Sequence, residues 1–180
     1  MAEYMHELRI PRERIAVLIG KKGETKRHLE ELTGTRIEVD SKEGEVFIHG
    51  EDALKLYSTK EIVKAIGRGF SPQNATKLLK EEYSFELIDL RDFANSKEHL
   101  PRLRGRVIGS NGKARAAIEM LTSTTISVYG KSIGIIGEIQ NVAIAKRALE
   151  SLLEGSTHAT VYTWLEKNRV EFKKKELMNL

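Results

Sequence analysis

The 180-residue chain repeats itself. Shifted by 89 residues, segment 19–39 (IGKKGETKRHLEELTGTRIEV) falls on segment 108–128 (IGSNGKARAAIEMLTSTTISV), with 9 of 21 aligned positions identical. The identities are Ile19/Ile108, Gly20/Gly109, Gly23/Gly112, Glu30/Glu119, Leu32/Leu121, Thr33/Thr122, Thr35/Thr124, Ile37/Ile126 and Val39/Val128. After a turn two residues shorter in the second copy, VFIHG (46–50) falls on IGIIG (133–137). The period is too long for a solenoid unit, so the simpler reading is two copies of one small domain. Each copy is long enough to bury a modest core, with few residues to spare.

Both copies carry the same order of local signals. A strand-like run opens each, YMHELRI (4–10) and SFELIDL (84–90). A short helix follows, Arg12–Ile19 in one and about Leu100–Ile108 in the other, and then a Gly-x-x-Gly tetrapeptide, GKKG (20–23) or GSNG (109–112). The second helix carries Leu29 and Leu32, or Ile118 and Leu121, three residues apart. Two short alternating strands come next, joined by turns around Lys42–Gly44 and Gly130–Lys131. An amphipathic helix closes each copy; in the second, Ala145, Ala148, Leu149 and Leu152 share one face. Each copy thus reads β-α-α-β-β-α, an α+β fold.

The expected boundaries are 1–68 for the first domain, 69–82 for a linker helix, 83–155 for the second domain and 156–180 for a C-terminal helix with a basic tail. Ser71 is placed to cap the linker helix, with Pro72 at its first position and Leu78 and Leu79 as its apolar residues. Near the C-terminus Val161, Trp164 and Leu165 are apolar, Trp164 reads as an anchor onto the second domain, and KKKELMNL reads as loose.

Fourteen glycines make a chance Gly-x-x-Gly unremarkable, and the chain has three. The one at 134–137 lies in a strand run and reads as structural, Gly137 aligning with Gly50. The other two stand between short helices, where a tight turn needs positive φ or close approach. A helix begins there, so free N–H groups and a positive dipole end face outward, ready for an anion. Charge supports this placement. Net charge is only +4, yet Arg9–Arg27 holds seven basic residues against Glu13 and Glu24. His99–Ile118 holds Arg102, Arg104, Arg106, Lys113 and Arg115 with no acid. One such run is as often a solvated face as a binding site; two at the same place in a repeat favour the site.

Other chemistries find little support. There is no cysteine, which excludes disulfides, thiolate metal sites and cysteine nucleophiles. The five histidines are scattered without ligand spacing, and the carboxylates alternate with lysines as on solvated helix faces. GRVIGSNGKA (105–114) departs from the Walker pattern at Val107 and Ala114. No cofactor, metal site or catalytic constellation is expected. The start MAEYMHELRI lacks an apolar signal region and no run is long enough to span a membrane, so a cytoplasmic protein without membrane contact is expected.

The tetrapeptide between two helices resembles that of the type I KH fold, a three-stranded antiparallel sheet packed against three helices. In that fold the tetrapeptide clamps the backbone of about four single-stranded nucleotides. The resemblance implies a narrow groove floored by Val17, Leu18 and Ile37 in the first copy and by Val107, Ile108 and Ile126 in the second. The implied RNA-binding residues of the first copy are Gly20, Lys21, Lys22, Gly23, Lys26, Arg27 and Ile37. Those of the second are Arg102, Arg104, Arg106, Ile108, Gly109, Ser110, Asn111, Gly112, Lys113, Arg115 and Ile126. The 6% aromatic content suits such a groove better than modules that stack bases on aromatic rings.

Features outside the tetrapeptides are more specific. The linker GFSPQNATKLLKEEYSFELIDLRDF (69–93), the excursion DFANSKEHLPRLRGRVIGSNGKARAAIE and the closing ALESLLEGSTHATVYTWLEK resemble archaeal members of the Dim-two or partner-of-Nob-one family of pre-ribosomal RNA processing proteins. The resemblance runs from about residue 5 to residue 172. It implies a non-catalytic ribosome-assembly factor. Such a factor binds single-stranded RNA near the 3′ end of small-subunit ribosomal RNA and assists a separate maturation endonuclease. It also implies a link with the alpha subunit of translation initiation factor two. The resemblance implies that in eukaryotic relatives the first tetrapeptide is degenerate and that domain serves mainly protein contacts. Here GKKG is intact, so RNA, protein or both stay open for the first copy. The alternative is a tandem-KH regulator of messenger RNA or of an RNA-degrading complex.

Overall fold

The computed structural model describes residues 3–179 and divides the chain into two compact units, Met1–Phe85 and Glu86–Leu180. The first contains β1 (Tyr4–Arg9), α1 (Arg12–Ile19), α2 (Glu24–Thr33), β2 (Arg36–Asp40), β3 (Glu45–Gly50), α3 (Ala53–Gly67) and the short α4 (Pro72–Ala75). From β4 (Tyr83–Asp89) the order recurs as α5 (His99–Ile108), α6 (Lys113–Thr122), β5 (Thr125–Tyr129), β6 (Ser132–Glu138) and α7 (Ile139–Leu153), with α8 (His158–Met178) added. The sheets are antiparallel and ordered β1-β3-β2 and β4-β6-β5. This is the expected β-α-α-β-β-α order in both copies.

Alternation decides which side of the first sheet is covered. Val46 and Ile48 of β3 and Ile37 of β2 are buried, whereas Glu38, Arg36 and Asp40 between them are exposed. Antiparallel pairing sets Ile37 opposite Ile48 and Val39 opposite Val46, keeping the apolar residues on one face. In the second unit Ile126, Ile133 and Ile135 meet Ile118, Val142, Leu149 and Leu152 from the helices. Burying each such side chain stabilises the fold by about 1.5–3 kcal/mol.

The repeat identities have structural causes. Thr33 donates to Leu29 O at 2.7 Å and lies 2.7 Å from the Thr35 hydroxyl. Thr122 donates to Ile118 O at 2.7 Å and lies 2.8 Å from Thr124. Each pair satisfies two buried hydroxyls where the second helix turns into its strand. A Cβ at Gly50 would stand 3.3 Å from Thr35 Cγ2, and one at Gly137 2.9 Å from Thr124 Cγ2. The strand-end glycine is thus fitted to the threonine opposite.

Three local expectations need adjustment. The inward stripe of α2 is Leu29 and Thr33, and Leu32 is 47% exposed. Ser71 does cap α4, its hydroxyl accepting from Asn74 N at 3.3 Å, but the helix lasts four residues before tightening to a 3₁₀ turn over Thr76–Leu79. Phe70, Ala75 and Leu78 bury this segment against α3, whereas Leu79 stays 38% exposed. The basic tail continues α8 through Met178 with nearly every residue exposed. Val161 and Leu165 are the buried anchors of α8, and Trp164 packs half-covered against the second-domain core as expected, with the Arg147 guanidinium 5.1 Å from its ring. Among the described residues no helix is long and apolar enough to cross a membrane.

Candidate nucleic-acid interface

The two tetrapeptides adopt one backbone. Gly20 and Gly109 have φ,ψ of 74°,176° and 72°,177°; Gly23 and Gly112 have 77°,13° and 73°,12°. Between them Lys22 and Asn111 are left-handed at φ 52° and 54°. That region is tolerated by Asn and strained for Lys. The N–H groups of Gly20 and Gly109 close the preceding helices on Ala16 O and Gly105 O. A Cβ at Gly20 would lie 2.2 Å from Thr25 Oγ1, and one at Gly109 2.7 Å from the Ala114 Cβ. The first glycine is therefore required by the turn itself. No side chain caps α2 or α6, so their first turns are left for an outside anion.

Lys21 and Lys22, and Ser110 and Asn111, are exposed at the tips of the turns. Arg27 lies over the first turn, its Nη1 3.3 Å from where a Gly23 Cβ would stand. Lys113 and Arg115 are exposed on the first turn of α6, and Arg102 is exposed on α5. Arg104 reaches the β5–β6 turn, its Nη1 3.4 Å from Gly130 O. Ile108, just before the second tetrapeptide, is half-buried, as is Ile19 before the first.

Four of the expected RNA-binding residues serve the fold instead. Ile37 and Ile126 are 1% and 3% exposed, so their side chains belong to the core and cannot floor an open groove. Leu18 and Val107 are likewise fully buried, which leaves Val17, Ile19 and Ile108 as the accessible apolar surface. Arg106 is the third correction. Its Nε donates to Leu152 O at 2.6 Å and its Nη2 donates to Ser156 O. It caps the carbonyl end of α7, where orphan acceptors and the negative dipole end favour a guanidinium. Lys26 is the fourth, since its Nζ donates to Glu30 Oε1 at 3.1 Å and to Ile37 O at 3.0 Å.

Sequence reasoning missed two devices. Arg14 does in the first domain what Arg106 does in the second, its Nε and Nη2 donating to Ile66 O and Phe70 O, both at 2.8 Å. The two arginines are three positions apart in the repeat alignment, so the shared role left no signal there. The other device did leave one. The identical Glu30 and Glu119 each accept the backbone N–H of Ile37 or Ile126 at 2.7 Å, fixing the second helix to the outer strand of its sheet. Among the described residues no group of three or more His, Cys, Asp or Glu is placed to hold a metal ion.

Comparison with known proteins agrees with this geometry. Residues 84–170 match the family described as the eukaryotic type KH-domain (KH-domain type I), and residues 5–68 match the KH domain family. A KH domain-containing protein of Methanocaldococcus jannaschii is 46% identical over 171 residues, covering 93% of this chain and 75% of that protein. The pre-rRNA-processing protein pno1 of Aspergillus fumigatus is 35% identical over 64% of this chain. The chain spans about half the length of that eukaryotic relative, 47%. Two solved structures from Pyrococcus horikoshii OT3 superimpose closely. One is a complex of a/eIF2alpha, aDim2p and rRNA, with TM-score 0.89, 45% identity and coverage of 94% of this chain and 96% of that one. The other is Dim2p, with TM-score 0.86, 46% identity and coverage of 91% and 99%. With both KH matches in place and the likeness running through linker and tail, the chain belongs to the tandem-KH family of archaeal Dim2p and the Pno1 pre-rRNA-processing proteins.

Proposed function

We propose that this chain binds single-stranded RNA near the 3′ end of small-subunit ribosomal RNA and acts there, without catalysis of its own, as an assembly factor in the cytoplasm. The observation that carries the reading is the pair of matching turns, each with an uncapped helix start and exposed polar or basic tips on the surface of its own domain. A sugar-phosphate backbone can lie against residues without side chains there while helix N–H groups meet its phosphates. Support for ribosomal RNA comes from the relatives, one seen with rRNA and a/eIF2alpha and another named for pre-rRNA processing. The same complex supports the alpha subunit of initiation factor two as a partner, and we propose as a second partner, on the family resemblance alone, a separate endonuclease that trims the RNA end.

A titration with a single-stranded oligonucleotide of the 3′ end, its duplex and a scrambled strand tests this. The single strand binds, the duplex binds far less because the groove admits only unpaired bases, and affinity falls with salt at a log–log slope of about −0.7 per phosphate contact. Equal affinity for duplex and single strand defeats the reading. Crosslinking in cells that recovers messenger RNA in place of pre-ribosomal RNA favours the regulator alternative.

A further inference from the structure

The second domain has a cavity that the first lacks the chain to build. In the first domain β1 ends at Arg9 and α1 starts at Arg12. In the second, β4 ends at Asp89 and α5 begins only at His99, after a 3₁₀ turn over Leu90–Asp92 and a loop. This excursion is anchored at both ends. Leu90 N donates to Lys131 O at 2.9 Å, and Phe93 and Leu100 pack on the core. Between the excursion, α5 and the β5–β6 turn lies a cavity of about 230 Å³ lined by Arg91, Ala94, Ser96, Lys97, Leu100 and Lys131.

Its position relates it to the tetrapeptide. Leu100, Arg104 and Ile108 follow one another at spacing four, so they form one stripe along α5. Ile108 adjoins Gly109, Arg104 reaches Gly130 O, and Leu100 lines the cavity. The stripe leads from the tetrapeptide to the cavity over eight residues, about 12 Å of helix. The lining is chemically divided. Ala94, Leu100 and the lysine stems are apolar, whereas Ser96 and the cationic heads are polar. Arg91 is held by Asp89, its Nη2 2.5 Å from Oδ2, and this bond keeps the Asp89 carboxyl ionised, down at about 2. Asp92 also faces Arg91, Lys131 faces Asp89 at longer range and Glu98 follows Lys97, so these charges balance, and Lys97 and Lys131 are the lining cations outside a close ion pair among the described residues.

We propose that this cavity is an additional subsite of the second domain, taking one unpaired base against Ala94 and Leu100 while Lys97 and Lys131 meet its phosphate. It rests on the RNA-binding reading and extends it, because the site lies beyond the tetrapeptide and depends on the excursion.

The test uses the full chain and single-stranded 3′-end ribosomal oligonucleotides of four to eight nucleotides, extended at either end. The variants are K97A/K131A, which removes the phosphate contacts, and A94W, which fills the cavity. Wild type gains affinity on lengthening from four nucleotides, on the order of tenfold for one more bound base or phosphate. Both variants lose that gain and keep wild-type affinity for the tetranucleotide, while thermal unfolding confirms the fold. Any binding by the first domain is common to all arms. Wild-type length dependence in both variants overturns the subsite, and so does an equal loss at every length. If wild type binds none of these strands, the RNA-binding reading itself fails and the subsite with it.

Discussion

Glu24 and Lys113 occupy the same place in the two domains, the first position of the helix after the tetrapeptide. An acid there suits the helix, because it faces the positive end of the dipole. A lysine opposes the dipole and favours an approaching anion. The turns preceding them are otherwise alike, with no corresponding angle differing by more than 4° between 74°,176° and 72°,177°, 52°,25° and 54°,29°, or 77°,13° and 73°,12°. The first domain departs in the opposite sense at the tip, where Lys22 holds a left-handed conformation that Asn111 adopts more easily. Backbone geometry alone therefore does not rank the two turns. The surrounding charge does: residues 1–68 hold 13 basic and 13 acidic residues, and residues 83–155 hold 10 and 8.

The largest expected effect tests that ranking. S110D/N111D places carboxylates against phosphate at an open helix start and lowers affinity for the 3′-end strand by about a hundredfold, two charge-assisted contacts becoming repulsive. K21D/K22D removes more positive charge yet lowers it by no more than about tenfold. Parallel titrations decide, and a greater loss in the first-domain variant inverts the hierarchy and makes GKKG the main clamp.

Arg14 and Arg106 give the next test. Each guanidinium satisfies two carbonyl oxygens at the end of the third helix of its domain. Replacing either by Ala destabilises its own domain by about 3 kcal/mol, since hydrogen bonds from charged donors contribute about 1.5–3 kcal/mol each. Urea unfolding followed by hydrogen exchange assigns the loss to a domain. If R106A leaves stability intact and weakens RNA binding, Arg106 is an RNA contact after all.

The smallest effect concerns how the second helix ends. Gly34 and Ser123 both close it in the left-handed region, at φ 65° and 53°. G34S destabilises the first domain and S123G stabilises the second, each by about 1 kcal/mol, because only glycine is relaxed there. Equal effects of the same sign would show that the two ends differ by more than this residue.

Much of this was legible in sequence because the repeat doubled each signal. The Gly-x-x-Gly turns, the helix over Arg12–Ile19 and the Ser71 cap could be placed from spacing and turn chemistry. The expected groove was less legible. Ile37 and Ile126 have the residue type of a groove floor, but alternation in an outer strand turns them toward the core, and type alone does not separate the two. Arg106 lay in a basic run and looked like its neighbours; only its distant carbonyl partners distinguish it. The cavity by Lys97 and Lys131 joins residues more than thirty positions apart, which no local pattern records.

The carboxylates of Glu30 and Glu119 have a consequence for behaviour in concentrated solution. Ile37 and Ile126 stand in β2 and β5, the outermost strands of their sheets, and an outer strand with free N–H groups is a template for strands of other chains. Each carboxylate covers one such donor, and Lys26 covers the adjacent Ile37 carbonyl. Removing them uncovers backbone as well as loosening a helix. Chains lacking Glu30 and Glu119 are therefore expected to self-associate on storage and at high concentration, visible as light scattering before any RNA is added.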